Sequence, residues 1–148
     1  MKKIKIFGFM SVFIAGIILI IIKFMPSDAS YKTVNVSNIT LKAEVANTDM
    51  KRIRGLMGRE KLAENSAMLF TFDKPDRYGI WMMNVSFPID ILWIDGKMNI
   101  VDIAEGAQPC MLYCPTYMPD HDAPYVLEVN SGFVEKNKIH VGDAIKVI

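Results

Sequence analysis

Hydrophobic positions along this chain follow two rhythms. Residues 6–22 form a run of seventeen mainly apolar residues, preceded by Met1-Lys2-Lys3-Ile4-Lys5 and followed by Lys23. As a helix the run would be about 25 Å long, close to the thickness of a bilayer's hydrocarbon core, and Ile4 and Phe24 extend it. Lysines are denser before the run than after it, which predicts an N-terminus in the cytoplasm and the rest of the chain outside. A cleaved signal peptide is the competing reading, with Ser27-Asp28-Ala29 as a small-x-small cleavage site. The length of the run and the position of Lys23 favour an uncleaved anchor. The expected organisation is a transmembrane helix at 1–25, a linker at 26–32 and an extracytoplasmic domain at 33–148, which would be secreted if the segment were cleaved.

From residue 33 the rhythm shortens to two. A strand signal at 33–36 is followed by 39–46, where Ile39, Leu41, Ala43 and Val45 alternate with polar or charged partners, the pattern of a half-buried strand. Thr48 is a candidate N-cap, Asp49 suits a first turn and Gly55 a stop, so 49–54 is predicted as one or two helical turns. An apolar strand is expected at 67–72 and a turn at 74–77. Residues 80–95 hold both tryptophans and are divided by Pro88, which lacks a ladder donor, so strands at 78–84 and 89–95 are expected on either side of a break. Asp95-Gly96 predicts a hairpin into 98–103. The stretch 105–123 is aperiodic and carries both cysteines. Alternation resumes at 125–130, with Tyr125, Leu127 and Val129 on one face and Val126, Glu128 and Asn130 on the other. A turn or short helix at 132–138 and a closing strand at 144–148 complete the pattern. Many short strands, little helix and no helices for parallel crossovers predict a mainly β fold, an antiparallel sandwich or compact barrel with one short helix.

Charge narrows the functional classes. Formal net charge is +1, yet residues 24–148 hold 13 basic against 16 acidic side chains once the four lysines flanking the apolar run are set aside. That balance offers no electrostatic footprint for nucleic acid. Phosphate-cradling glycine loops, serine-nucleophile elbows and paired zinc-ligand motifs are absent from the sequence, and with two histidines a three-ligand metal hydrolase is not expected. No cofactor is expected. The foreseen partners are the membrane, through the N-terminal helix, and a small ligand or envelope polymer.

Several fragments, taken in order, resemble a known family. They are Gly55-Leu56-Met57-Gly58-Arg59, Ala67-Met68-Leu69-Phe70, Trp81-Met82-Met83-Asn84, Pro88-Ile89-Asp90-Ile91-Leu92, Pro109-Cys110, the 125–130 strand, Gly132-Phe133 and Val141-Gly142-Asp143. Together, over roughly residues 33–148, they are similar to domain-of-unknown-function family 192. The resemblance implies a compact, mainly antiparallel, jelly-roll-like β-domain and implies no activity. Ala67 stands where the family often has glycine, and Val85 where threonine is common.

Two groups of residues are candidates for chemistry. Trp81, Asn84, Asp90, Tyr125, Glu128 and Asn130, with Trp93 as a possible wall, combine aromatic surface with sparse polar groups, as ligand pockets do. Arg59 is a candidate bidentate partner for Asp90 or Glu128. On this set rests the leading expectation, a non-catalytic module that binds a small ligand, glycan or peptide. Asp90 and Glu128 also allow a second reading, a carboxylate-pair hydrolase acting on cell-envelope glycans. Singly, each carboxylate also has a structural reading, Asp90 bonding backbone near Pro88 and Glu128 solvated or paired across a sheet. In the other group, Cys110 and Cys114 in an extracytoplasmic, proline-rich loop most simply form a disulfide. Their C-x-x-x-C-P spacing, with Met118 and His121 beyond, is also similar to the copper motif of membrane-anchored oxidase-assembly chaperones, so thiol-redox or copper handling is a further alternative.

Overall fold

Short-range pattern and turn chemistry set most of the strands in the computed structural model, which describes residues 29–148. The expected anchor, its orientation and the cleavage site up to Asp28 lie outside the described residues. Among those residues no helix is long and apolar enough to cross a membrane.

Strands β1 (Tyr31–Val36) and β2 (Ile39–Ala46) form a hairpin over Ser37, whose φ of 52° suits the tight reversal. Tyr31 and Lys32, expected in the linker, thus already belong to β1. Helix α1 (Asp49–Arg54) follows. Thr48 accepts a hydrogen bond from the Lys51 amide, and the Gly55 amide returns to the Lys51 carbonyl, satisfying groups a short helix leaves open. Strand β3 (Ser66–Asp76) is longer than its apolar core, because the expected turn at 74–77 is extended backbone beyond an irregularity after Thr71. Of the strand expected at 78–84, only β4 (Ile80–Trp81) is present, paired with β7 (Thr116–Tyr117) as a separate two-stranded sheet. The hairpin at Asp95 joins β5 (Ile89–Ile94) to β6 (Ile100–Ala107), with the Asp95 carboxylate accepting the Lys97 and Asn99 amides. Strand β8 (Ala123–Asn130), helix α2 (Phe133–Asn137) and strand β9 (Ile145–Val147) close the chain.

The main sheet has seven strands in the order β6-β5-β8-β3-β2-β1-β9. It lies nearer the expected compact barrel than the sandwich, and departs from the antiparallel sandwich in two ways. First, one sheet curls into a half-barrel instead of two sheets stacking: Asn99 bridges Ala144, and the Ile145 amide bonds the Met98 carbonyl at 2.8 Å, drawing the two edges together. Second, β2 and β3 are parallel, from Lys42 opposite Ser66 to Ala46 opposite Phe70. Parallel neighbours need a crossover, and residues 47–65 supply it with α1 inside.

Both faces of the sheet are covered. Val34, Leu41, Leu69, Leu92 and Leu127 form one core with Ile100 and Ile145 from the two edge strands and Val134 and Ile139 near α2. Met68, Phe70, Ile89, Ile91, Trp93 and Val126 form the other, capped by Leu56 and Leu62 of the crossover and by Ile80, Met82 and Val85. Removing each such large side chain from water is worth roughly 1.5–3 kcal/mol. Burial on both faces explains why all six residues of β5 are buried, and it sets the environment of the two buried carboxyls, Asp90 and Glu128.

Candidate functional site

The parallel crossover builds a cavity on the second face. After α1 the chain turns at Gly55, with φ 46°, where a side chain would be strained and would meet the Phe70 ring at 3.4 Å. The turn carries Leu56 into the core and brings Arg59 back over the sheet, where it pairs with Glu44 at 2.8 Å. Polar groups around the proline break hold this turn: the Asn84 carbonyl accepts the Gly58 amide at 2.9 Å, and the Ser86 hydroxyl donates to the Arg59 carbonyl at 2.7 Å. Asn84, at φ 55°, also donates its amide to the Cys110 carbonyl at 2.8 Å. Asn84 thus anchors the arginine-bearing turn; it does not line the cavity.

Between α1, its following turn, β3 and β4 lies a cavity of about 220 Å³. Arg52, Ile53 and Arg54 form one side, Phe70, Phe72 and Tyr78 another, and Ile80, Trp81 and Val85 a third, with Glu128 also in the lining. Phe72 and Tyr78 stack at 3.5 Å between centroids, their planes almost parallel at 6°, and the Arg52 guanidinium sits 5.1 Å from the Phe72 centroid. Arg52 is further held by the Thr71 carbonyl at 2.7 Å and by Asp49 at 2.6 Å. Buried Trp93 donates its indole N–H to the Tyr78 carbonyl at 2.8 Å, tying the β5 core to the cavity wall. Gly79 lets the chain enter β4 close beside β7: a Cβ there would collide with the Met118 sulfur and the Thr116 methyl.

Glu128 occupies the row Glu44–Met68–Glu128–Ile91 across four strands. It is 4% exposed, and its Oε2 is buried with no hydrogen-bond partner. Desolvation pushes its carboxyl up to about 8, and the charge of Arg59 acts in the opposite sense. Burial against apolar neighbours disfavours the carboxylate, so near neutrality Glu128 is mainly the acid, able both to donate and to accept.

The structure brings Trp81 and Glu128 to one cavity, with Arg59 beside it, but separates the other sequence candidates. Asp90 shares a face with Leu92 and Ile94 on the opposite side of the sheet, where it accepts the Gly106 amide at 2.9 Å and the Val134 amide at 3.0 Å. It satisfies an open donor in the first turn of α2, whose N-cap residue Gly132 has no side chain to do so. Asp90 and Glu128 therefore share no cleft, and Arg59 bonds Glu44, not Asp90. Tyr125 packs against the first core. Asn130 donates to the Leu62 and Ala63 carbonyls, pinning the crossover. Sequence reasoning missed Phe70, Phe72 and Tyr78 as walls. The alternation Met68-Phe70-Phe72, in register with Glu128, was the available signal.

Cys110 and Cys114 are joined in a disulfide with Cα atoms 5.5 Å apart. The ring displays Met111, Leu112 and Tyr113 to solvent, Tyr113 completely. His121 contacts Asp102 at 3.0 Å through Nδ1, and Met118 covers Gly79, so neither joins the cysteines. Among the described residues no group of three or more histidine, cysteine or acidic side chains is placed to hold a metal ion.

A curled, mainly β half-barrel with a side cavity is the class of domain these features define. The model of DUF192, an uncharacterised conserved family, matches residues 32–147, and the chain belongs to that family. A UPF0127 protein of Thermococcus kodakarensis is 30% identical over 106 residues, covering 70% of this chain and 63% of the archaeal protein. A UPF0127 protein of Thermococcus gammatolerans is also 30% identical, over 69% of this chain and again 63% of its own length. This chain therefore spans under two-thirds of these relatives. Among solved structures, a proposed transcription regulator from Sinorhizobium meliloti 1021 superimposes with TM-score 0.77 at 28% identity, covering 83% of this chain and 98% of that one. A protein of unknown function from Novosphingobium aromaticivorans does so at 0.73 and 26%, covering 82% and 89%.

Proposed function

We propose that this domain is a non-catalytic module that binds a small, largely apolar ligand in the cavity floored by Glu128. The observation that carries the reading is a buried carboxyl oxygen without a partner on a residue, Glu128, that lines an aromatic-walled cavity. A group left so in a folded protein costs free energy that a bound molecule would recover. The volume, about 220 Å³, is below the usual range for drug-sized ligands. It therefore favours a compact molecule, or one side group of a larger one, over a length of glycan or peptide. Residues 24–148 hold 13 basic against 16 acidic side chains, so the regulator description of the S. meliloti protein is not carried over. An extracytoplasmic site behind an N-terminal anchor belongs to the same proposal. The Cys110–Cys114 disulfide supports it, since such bonds persist in oxidising compartments.

The test is a fragment titration of the isotopically labelled full-length chain, followed by NMR. Shifts are expected at Phe72, Tyr78, Trp81 and Val85, saturating together. Ile53→Trp, at an exposed rim position, should plug the cavity and remove them. Saturable shifts centred elsewhere, or shifts indifferent to the plug, would overturn the reading.

A further inference from the structure

Resting on that reading, we propose that the cavity selects ligands bearing an oxygen acceptor, a carbonyl or a carboxylate, which receives a hydrogen bond from the Glu128 carboxyl, and that it rejects amines. Two observations point this way. The first is the floor itself. Glu128 is 4% exposed with Oε2 unpartnered, and its register neighbours Met68 and Ile91 bring no polar group to it. A ligand entering past the aromatic walls is the available source of a partner.

The second is the charge around that floor. From β2 comes Glu44 and from the turn after α1 comes Arg59, paired with each other at 2.8 Å. From α1 come Arg52, paired with Asp49, and Arg54 at the rim. Tyr78 faces the cavity with its ring, its hydroxyl being committed to the Lys74 carbonyl at 3.0 Å. Three guanidinium groups thus stand against two carboxylates before Glu128 is counted. A surplus positive charge repels an ammonium group and tolerates an anion. One aromatic face that an amine would otherwise use, that of Phe72, is already taken by the Arg52 guanidinium. Burial keeps Glu128 protonated up to about pH 8, so its hydroxyl is the donor, and an acceptor oxygen on the ligand completes the bond.

Four compounds built on one ring separate the possibilities: toluene, acetophenone, benzoate and benzylamine. Each is titrated into the full-length chain while the Val85 methyls and the Glu128 carboxyl carbon are followed by NMR. Acetophenone and benzoate should bind about tenfold more tightly than toluene or benzylamine, the contribution of one donated hydrogen bond. Their relative strength distinguishes a neutral carbonyl from a carboxylate as the preferred acceptor. Their affinity should be level up to about pH 8 and fall about tenfold for each pH unit above it, because only the protonated site binds them. Glu128→Gln keeps an N–H donor, so it should retain acetophenone within about threefold and abolish the pH dependence. Glu128→Leu should reduce acetophenone to the level of toluene. Benzylamine binding best and gaining with pH would overturn the proposal, as would acceptors binding no better than toluene; in both cases the cavity itself would survive as a site. Failure of all four to bind would remove both.

Discussion

Two carboxyl side chains are buried in the same sheet on adjacent strands, and they are handled in opposite ways. Asp90 on β5 faces the core that fills the curl, and each of its oxygens receives a backbone amide, from Gly106 and from Val134. Glu128 on β8 faces the cavity, has one oxygen with no partner and has its proton affinity raised by desolvation. Asp90 is a structural bolt joining the end of β6 to the start of α2. Glu128 is a polar group kept in an apolar place at a cost to stability, the kind of local conflict that binding sites retain. Burial alone therefore does not distinguish the two; what separates them is whether the fold itself supplies the partners.

Substitution should expose the difference. Asp90→Ala removes both acceptors and leaves two amides unsatisfied, so a loss of about 3–5 kcal/mol is expected at pH 7 in denaturant unfolding. Asp90→Asn keeps one acceptor and should cost about half as much. Glu128→Gln should behave in the reverse sense. The folded-state affinity of Glu128 for a proton, at about 8, lies above its ordinary 4.5. The stability it allows is therefore fully present below pH 4.5 and is lost as pH rises toward 8, where ionisation in place becomes possible. At about 1.4 kcal/mol per tenfold in proton activity, the Gln variant should gain on the wild type by about 3 kcal/mol between pH 4 and pH 7. It should gain no further above pH 9. A pH-independent difference between the two proteins would mean that Glu128 is solvated after all, and the contrast with Asp90 would collapse.

Most of the local structure was legible in the sequence, while the environment of these two residues was not. The strand at 39–46, the helix at 49–54 and the hairpin at Asp95 rest on period-two alternation, caps and turn chemistry, all of which act within a few residues. Family motifs pointed to the same region that the crossover covers. What escaped was set by distant pairings. The parallel register of β2 on β3, and the meeting of edges at Asn99 and Ala144, involve no local signal, so the pattern left sandwich and compact barrel both open and did not single out the half-barrel. Alternation at 125–130 correctly put Glu128 opposite Tyr125, yet alternation states only which face a residue takes. Whether that face meets water depends on the crossover at 47–65. Asn84 was legible as a polar break, but its left-handed backbone and its role in holding the Arg59 turn depend on the tertiary partners Gly58 and Cys110.

Smaller effects sharpen the same contrast from its surroundings. The Cys110–Cys114 bond closes a ring with a sequence separation of 4, and such a short loop constrains few unfolded conformations. A double serine variant should lose about 2 kcal/mol, measured by unfolding in the absence of reductant. Asn84 donates its amide to the Cys110 carbonyl in this segment, so the Gly58 and Arg59 amides should show faster hydrogen exchange in the same variant. Unchanged exchange there would separate the ring from the cavity.

Arg59 tests the electrostatics most directly, although its effect on stability is the smallest. Its partner Glu44 is only partly buried, and exposed or half-exposed ion pairs are worth about 1 kcal/mol or less. Arg59→Gln should therefore leave the unfolding midpoint nearly unchanged. The charge of Arg59 is, however, what restrains the rise in Glu128's proton affinity. Removing it should move the Glu128 titration, followed at the carboxyl carbon, to a pH above about 8. An unmoved Glu128 titration would mean that Arg59 does not act on this carboxyl, and the Glu44–Arg59 pair would have no part in the environment of the cavity.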